Sequence, residues 1–324
     1  MSLAVVEQAI AGSGRNDVWY LSGHKSEVLA VASDSSNVLA TCDKQGLGLL
    51  WKLNTSDQDT PPAHVGRLAT DGPAIVDACF LQHVRLCTAQ GDGNVGIHDL
   101  ETGKRELSLS RAPGRMKCVN WPVINAVSTW NDKQIVFGGD DGFLVLCEIT
   151  QKEPLASLNL RVPITSIAAS GDSFFVADVT GMIRCFDGRT LNCVYSSRGH
   201  SDVVSCVSLN EDASILVSYG MDNLVGLWDV MPFAVSAEDR LIHRFNVQHS
   251  DTRDLLRCSW LRDGSVLVPT GHGEVVRLHT SMHSGKISKL FVQHNYQPVR
   301  CAASVCEGFC VSAAGSEVVL QRVL

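Results

Sequence analysis

Positive charge is scarce in this chain. Over 324 residues, 27 Lys and Arg stand against 34 Asp and Glu, a formal net charge of −7. Binding nucleic acid through broad electrostatics needs clustered Lys and Arg to displace counterions from phosphates, so the charge balance argues against that class. Arg253 and Arg257 form a local basic pair, and they read as part of a solvated rim. No apolar run approaches the roughly 20 residues that span a bilayer. The opening MSLAVVEQAIAGSG lacks the basic start and long apolar middle of a secretory signal, which leaves a cytoplasmic or nuclear protein. The 12 cysteines include no CxxC pair and fall mostly in apolar alternating runs, as small buried thiols of a reducing compartment do. Cys301, Cys306 and Cys310 are split by a turn, and His279 and His283 sit at a strand end, so neither group reads as a metal site.

What the sequence has is a repeat. Residues 198–233 state it in full: Gly199-His200, an alternating apolar run at 203–209, a polar turn at Asn210-Glu211-Asp212, a second run at 215–219, a turn at Asp222-Asn223, and a third run ending in Trp228-Asp229. Three short strands joined by tight turns follow from that order. The same order returns seven times at a spacing of about 46 residues, which fills the 324-residue chain. A β-sandwich gives no reason for seven such returns.

On these residues the chain is identified as a member of the WD40-repeat family. The resemblance implies an all-β, seven-bladed β-propeller, with residues 1–16 as a loosely held tail and 17–324 as a single propeller. Val18-Trp19-Tyr20-Leu21 would pair near residues 317–323 and close the ring. It also implies a structural tetrad: the equivalents of His200, Ser218, Asp222 and Trp228 form a buried hydrogen-bonded chain, tolerable because each member finds a partner. A Ser, a His and an Asp could suggest a catalytic triad, but no nucleophile-elbow motif supplies an exposed nucleophile. Measured against this repeat, blade five alone keeps all four members. Blade one has Gln45 where Asp222 stands; blade two has Asp71, Asp92 and His98; blade three has Cys147 for the Trp; blade four has Thr180 and Phe186; blade six has His272 and Leu278; blade seven has His294 ahead of it. Blade six is expected to have given up its network altogether. Residues 121–130 read as a long loop carrying Trp121 and Trp130, either a partner anchor or a loop tucked over its own blade.

Function has to come from residues that the blade geometry does not demand. Pro232-Phe233-Ala234, Asn246-Val247-Gln248-His249 and the run Leu255 to Trp260 followed by Asp263-Gly264-Ser265 are such residues. Together with the blade-five repeat they resemble the family of 40-kilodalton WD-repeat subunits of the U5 small nuclear ribonucleoprotein, of which this chain is a divergent member. The resemblance implies a non-catalytic, nuclear scaffold in pre-mRNA splicing, docked on the large U5 core protein and other U5 proteins. RNA association would be mainly indirect, with no membrane, small-molecule substrate, metal or cofactor. The alternative is another intracellular WD40 scaffold or adaptor, in a ubiquitin-ligase or signalling assembly. An enzymatic propeller would need acidic or His residues converging on the channel from several blades, and no recurring set is seen. Loops that precede the innermost strands point to Lys25, Glu27, Arg115, Asp202, Arg253 and Tyr296 as partner contacts, with Phe233 on the blade five to six connection as another. Solvated loops, and for Phe233 a plug between blades, are the alternatives.

Overall fold

Short runs of aliphatic and β-branched residues, broken by turns rich in Asp and Gly, bury themselves by pairing as hairpins and stacking face to face. In the computed structural model they form 29 strands, with no α-helix among the described residues. The structure describes residues 9–11, 18–34, 37–54, 60–68, 72–82, 84–110, 122–151, 153–231, 240–249, 251, 253–280, 286–290, 294, 297–306 and 308–323. The strands make seven antiparallel sheets, six of four strands and one of five, arranged as a seven-bladed propeller. The inner strands are Val28–Ser33, Ile75–Leu81, Ile124–Asn131, Ile164–Ser170, Val204–Leu209, Ser259–Trp260 and Val299–Cys306. Each packs on the inner strand of the next blade, and the last packs on the first.

The ring closes through its N-terminal strand. Val18–Leu21 lies antiparallel to Glu317–Arg322, with Val18 opposite Gln321 and Leu21 opposite Val318. That strand is therefore the outer strand of blade seven, and it removes the edge that would otherwise break the circle. Ala9–Ala11, inside the segment expected to be a loose tail, pairs antiparallel with Val18–Leu21 as a fifth strand.

There is no single core. Buried side chains divide into seven clusters, each filling one seam between adjacent blades. In the closing seam Trp19 and Leu21 meet Leu49 and Trp51 of blade one. Eight of the described cysteines are buried within these layers, and Cys193 is exposed. The loop expected at 121–130 is corrected: Ile124–Asn131 is the inner strand of blade three. Trp121 lies outside the described residues, and Trp130 packs edge-on against Phe174 at 5.0 Å while its Nε1 donates to the Gly171 carbonyl of blade four. The alternation of Ile124, Ala126 and Ser128 with their neighbours was the strand signal, masked by the polar residues beside it.

One detail recurs on the axis. In six of the seven blades the inner strand carries a bulge directly after its first residue, so that Leu29, Val76, Asn125, Thr165, Ser205 and Arg300 are left out of register. The residue before each bulge is a fully buried Val or Ile, and in blade six Leu256 takes the corresponding place ahead of Arg257. A bulged residue loses its ladder partner and needs another. Asn125 Nδ2 donates to the Ile164 carbonyl (2.9 Å), and Thr165 Oγ1 to the Val204 carbonyl, stapling blades three to four and four to five.

Arg257 meets the carbonyls. Its Nη1 donates to Thr165 O (3.0 Å) and Ser205 O (3.1 Å), and its Nη2 to Asn125 O (2.5 Å). One planar guanidinium thus joins blade six to blades three, four and five, a use of its fixed fork of donors that Lys cannot reproduce. Asp77 of blade two faces the same centre. It accepts from Val127 N (3.0 Å) and Ala78 N (3.1 Å). Burial raises its pKa, and the charge of Arg257 and the two backbone donors pull it back. Arg257 is therefore no part of a solvated rim, and the channel does collect charge.

Replacing Arg257 by Met is expected to lower unfolding free energy by about 3 kcal/mol, because three carbonyls lose a charged donor together. Arg253→Met, on an exposed pair, should change it by under about 0.5 kcal/mol. Equilibrium urea denaturation of the two variants makes the comparison.

Candidate functional site

Blade five places its polar members in one line. Trp228 Nε1 donates to Ser218 Oγ (2.8 Å), Ser218 Oγ lies 2.7 Å from His200 Nε2, and His200 Nδ1 lies 2.9 Å from Asp222 Oδ1. The order fixes the tautomer: Ser218 donates to Nε2, and Nδ1–H donates to the carboxylate. Burial pushes the Asp222 carboxyl up, but His200 and the backbone donors of Ser201 and Leu224 outweigh it and hold it below the usual range. Nothing in this line is a nucleophile open to a substrate, since Ser218 is fully buried.

Blade five is not alone. In blade one Trp51 Nε1 donates to Thr41 Oγ1 (3.1 Å), Thr41 Oγ1 lies 2.8 Å from His24 Nε2, and His24 Nδ1 lies 2.9 Å from Asp43 Oδ2. The carboxylate comes from Asp43, not from the position of Gln45. Residues i and i+2 on a strand share a face, so an Asp two residues after Thr41 reaches the histidine as well as one four residues after. The two solutions exclude each other. Blade five has Gly220 where blade one has Asp43, and a Cβ at Gly220 would stand 2.3 Å from His200 Nδ1 and 2.5 Å from Asp222 Oδ1. The expectation that only blade five keeps a whole tetrad is thus overturned. Blade seven keeps three members: His294 Nε2 lies 2.8 Å from Ser312 Oγ, and Nδ1 lies 3.1 Å from Glu317 Oε2.

The remaining blades have dismantled the line in different ways. Blade six has fully buried Val268 and Leu278 at the Ser and Trp positions, so apolar groups replace that end of the network, while Thr270 and His272 stand at the carboxylate positions. Blades three and four likewise bury Phe137 with Cys147, and Val176 with Phe186. Blade two stops halfway. Thr88 Oγ1 lies 3.0 Å from His98 Nε2, while His98 Nδ1 has no partner. Burial, and then the charge of Arg105, depress the His98 pKa to about 4. Asp71, assigned to the histidine position of this blade, lies outside the described residues.

Around the tetrads, the loops ahead of the inner strands form one rim of the ring. Glu27 is held by Arg300, and Lys44 approaches it at 3.9 Å. Arg300 also reaches Asp254 (2.5 Å), and Arg253 pairs with Asp202 at 3.4 Å. Ion pairs therefore bridge the seams five to six, six to seven and seven to one. Lys25 is exposed beside them. Of the expected contact residues the structure brings together Asp202 and Arg253, and it sets Glu27 on Arg300, which the sequence reading did not single out. Arg300 was findable, since it follows buried Val299 as Arg257 follows Leu256. Arg115, Tyr296 and Phe233 lie outside the described residues. Among the described residues no cluster of His, Cys, Asp or Glu could hold a metal ion.

Asp43→Ala strands His24 Nδ1 and the N–H groups of Gln45 and Leu47. It should cost about 2 kcal/mol, whereas exposed Gln45→Ala should cost under about 0.5 kcal/mol, in denaturant melts. His98 supplies a pH test. Its folded pKa of about 4 lies below its unfolded 6.5, so its stabilising contribution is complete above 6.5 and is lost as pH falls toward 4. His98→Gln should flatten the stability profile in that window by roughly 3 kcal/mol relative to the parent.

Comparison with known proteins agrees with this geometry. The WD40 family (WD domain, G-beta repeat) matches residues 191–229, the blade-five repeat with its tetrad. The human U5 small nuclear ribonucleoprotein 40 kDa protein is 30% identical over 170 residues, 52% of this chain and 45% of that protein. WD repeat-containing protein 18 of Danio rerio is 25% identical over 219 residues, 65% of this chain and 42% of its own. Pre-mRNA-splicing factor cwf17 of Schizosaccharomyces pombe is 29% identical over 126 residues, 38% of this chain and 37% of its own. The chain thus spans less than half the length of these relatives. With seven four-stranded blades, a tetrad-bearing repeat and this set of relatives, the chain is a divergent WD40-repeat β-propeller resembling the U5 40 kDa protein.

Proposed function

We propose that the chain is a non-catalytic scaffold acting in pre-mRNA splicing, as a structural subunit of a U5-type ribonucleoprotein in the nucleus. The observation that carries this reading is the joint likeness to two proteins of splicing, the U5 40 kDa protein and cwf17. Its partners are proteins: the large U5 core protein and its neighbours, with RNA held mainly through them. The net charge of −7 supports that division, because a surface poor in clustered Lys and Arg can sit in an RNA machine while touching protein. The non-catalytic part is supported by the centre of the ring, where Arg257 spends its donors on three main-chain carbonyls. The rim of ion pairs around Glu27, Arg300, Asp202 and Arg253, with exposed Lys25, is the contact surface of this reading.

A second reading, a WD40 adaptor outside splicing, is favoured by the breadth of another match. Protein SPA1-RELATED 3 of Arabidopsis thaliana is 22% identical over 272 residues, 82% of this chain. Affinity purification of the tagged chain, with mass spectrometry and probing for small nuclear RNAs, separates the two. Recovery of U5 RNA together with U5 proteins is the expected result. Their joint absence, with a different set of stoichiometric partners, would overturn the splicing assignment and leave the propeller standing.

A further inference from the structure

The face opposite the ion-paired rim carries a groove that the proposed function does not use. It begins at the mouth of the central channel as a cavity of about 260 Å³ lined by Ser33, Asp34, Leu209, Glu211, Trp260 and Val305, with Leu261 and Arg262 at its far side. Glu211, Leu261 and Arg262 also line a second cavity of about 440 Å³, which continues between the turns of blades five and six past Asn210, Asp212 and Gly264. The shared residues make the two cavities one groove.

Its walls are held in place. Trp260 is fixed by its Nε1, which donates to Ser208 O (3.0 Å) across the seam. In the blade-five turn, Asn210 Oδ1 accepts from Ile215 N (2.8 Å), and Asp212 Oδ1 accepts from Ser214 Oγ (2.7 Å). In the blade-six turn, Asp263 accepts from Ser265 N (2.9 Å) and is paired with Arg277, so it does not serve Arg262. A Cβ built at Gly264 would meet nothing within 4 Å, which leaves the main chain there open to close approach.

The lining selects an occupant. Leu209, Trp260, Leu261 and Val305 form an apolar floor, buried or half-buried. Above it stand exposed Glu211 and Asp212, against a single guanidinium, Arg262, while Asp34 is buried and accepts from Val38 N (2.8 Å). Glu211 and Arg262 are both exposed, on facing turns, and no ion pair joins them. Hydrogen bonds from Ser214 hold the Asp212 carboxyl below its usual range, so its charge persists at neutral pH. We propose that this groove binds an extended segment of a partner protein in which basic and apolar residues alternate. The basic side chain would lie against Glu211 and Asp212, and an apolar one over Trp260 and Leu261. Alternation suits the site because successive side chains of an extended peptide point to opposite sides, one toward the floor and one toward the charged rim. The proposal stands whether or not the chain belongs to a U5 particle.

The test uses the full chain and two labelled ten-residue peptides, one of alternating Lys and Leu and one of alternating Glu and Leu, followed by fluorescence anisotropy. The Lys–Leu peptide should bind the parent and the Glu–Leu peptide should not. Glu211→Lys should weaken Lys–Leu binding at least tenfold, and Arg262→Glu should strengthen it at least threefold. Asp132→Lys, which makes the same charge change on an exposed turn of blade three, should leave it within twofold of the parent and so separates the groove from general electrostatics. Equal weakening by Glu211→Lys and Asp132→Lys would overturn the proposal, as would a preference for the Glu–Leu peptide or no binding by the parent. A groove occupied by a second copy would appear in sedimentation velocity as a dimer abolished by Glu211→Lys, and that too would overturn it.

Discussion

A ring of sheets must satisfy the main chain where it is most crowded, at the axis. In this propeller the inner strands bulge after their first residue in six blades, and each bulge frees a carbonyl or an N–H from its ladder. Local staples such as Asn125 and Thr165 join neighbouring blades. Arg257 does what no neighbour can, reaching three blades with one side chain. The arrangement turns a string of nearest-neighbour seams into a structure with one shared centre. It also engages the donors of Arg257 in the fold itself.

The tetrads show a second economy. A buried Trp–Ser/Thr–His–Asp line is costly when incomplete and nearly neutral when wholly replaced. Most of the blades lie toward one of those two ends. Blades one and five keep the line, blade seven keeps its His–Ser–Glu part, and blades three, four and six bury apolar groups at its Ser and Trp positions. Blades two and seven sit between: blade two leaves a buried His98 nitrogen without a partner and its pKa driven down to about 4, and in blade seven burial lowers the pKa of His294 as well. Incompleteness and a lowered histidine pKa thus occur together in both blades.

The propeller, the blade count, the closing strand and the loss of the Trp end of the blade-six network were legible in the sequence because they rest on local order: a run, a turn, a run. Val18 to Leu21 could be assigned to blade seven because a closed ring needs a partner for Glu317–Arg322. Asp43 was missed for a different reason. A ruler that expects Asp six residues before Trp finds Gln45, yet the strand period of two lets position 43 serve the same histidine. Glu317, longer by a methylene and one residue further along, escaped the same ruler. Arg257 looked like a rim charge because its partners lie 52, 92 and 132 residues away, and no local pattern announces contacts of that range.

The two faces of the ring consequently offer partners different things. On the rim ahead of the inner strands, Glu27, Asp254, Asp202, Arg253 and Arg300 already neutralise one another across three seams. A partner docking there must exchange those pairs for its own, which favours a large protein surface with matched charges over a short peptide. On the opposite face Glu211 and Arg262 stand apart over an apolar floor, and a single extended segment can satisfy the site without breaking anything. A propeller built this way can stay seated on a large partner by one face while the other remains open to a smaller one. That division follows from where the ring has used its charges to close itself and where it has not.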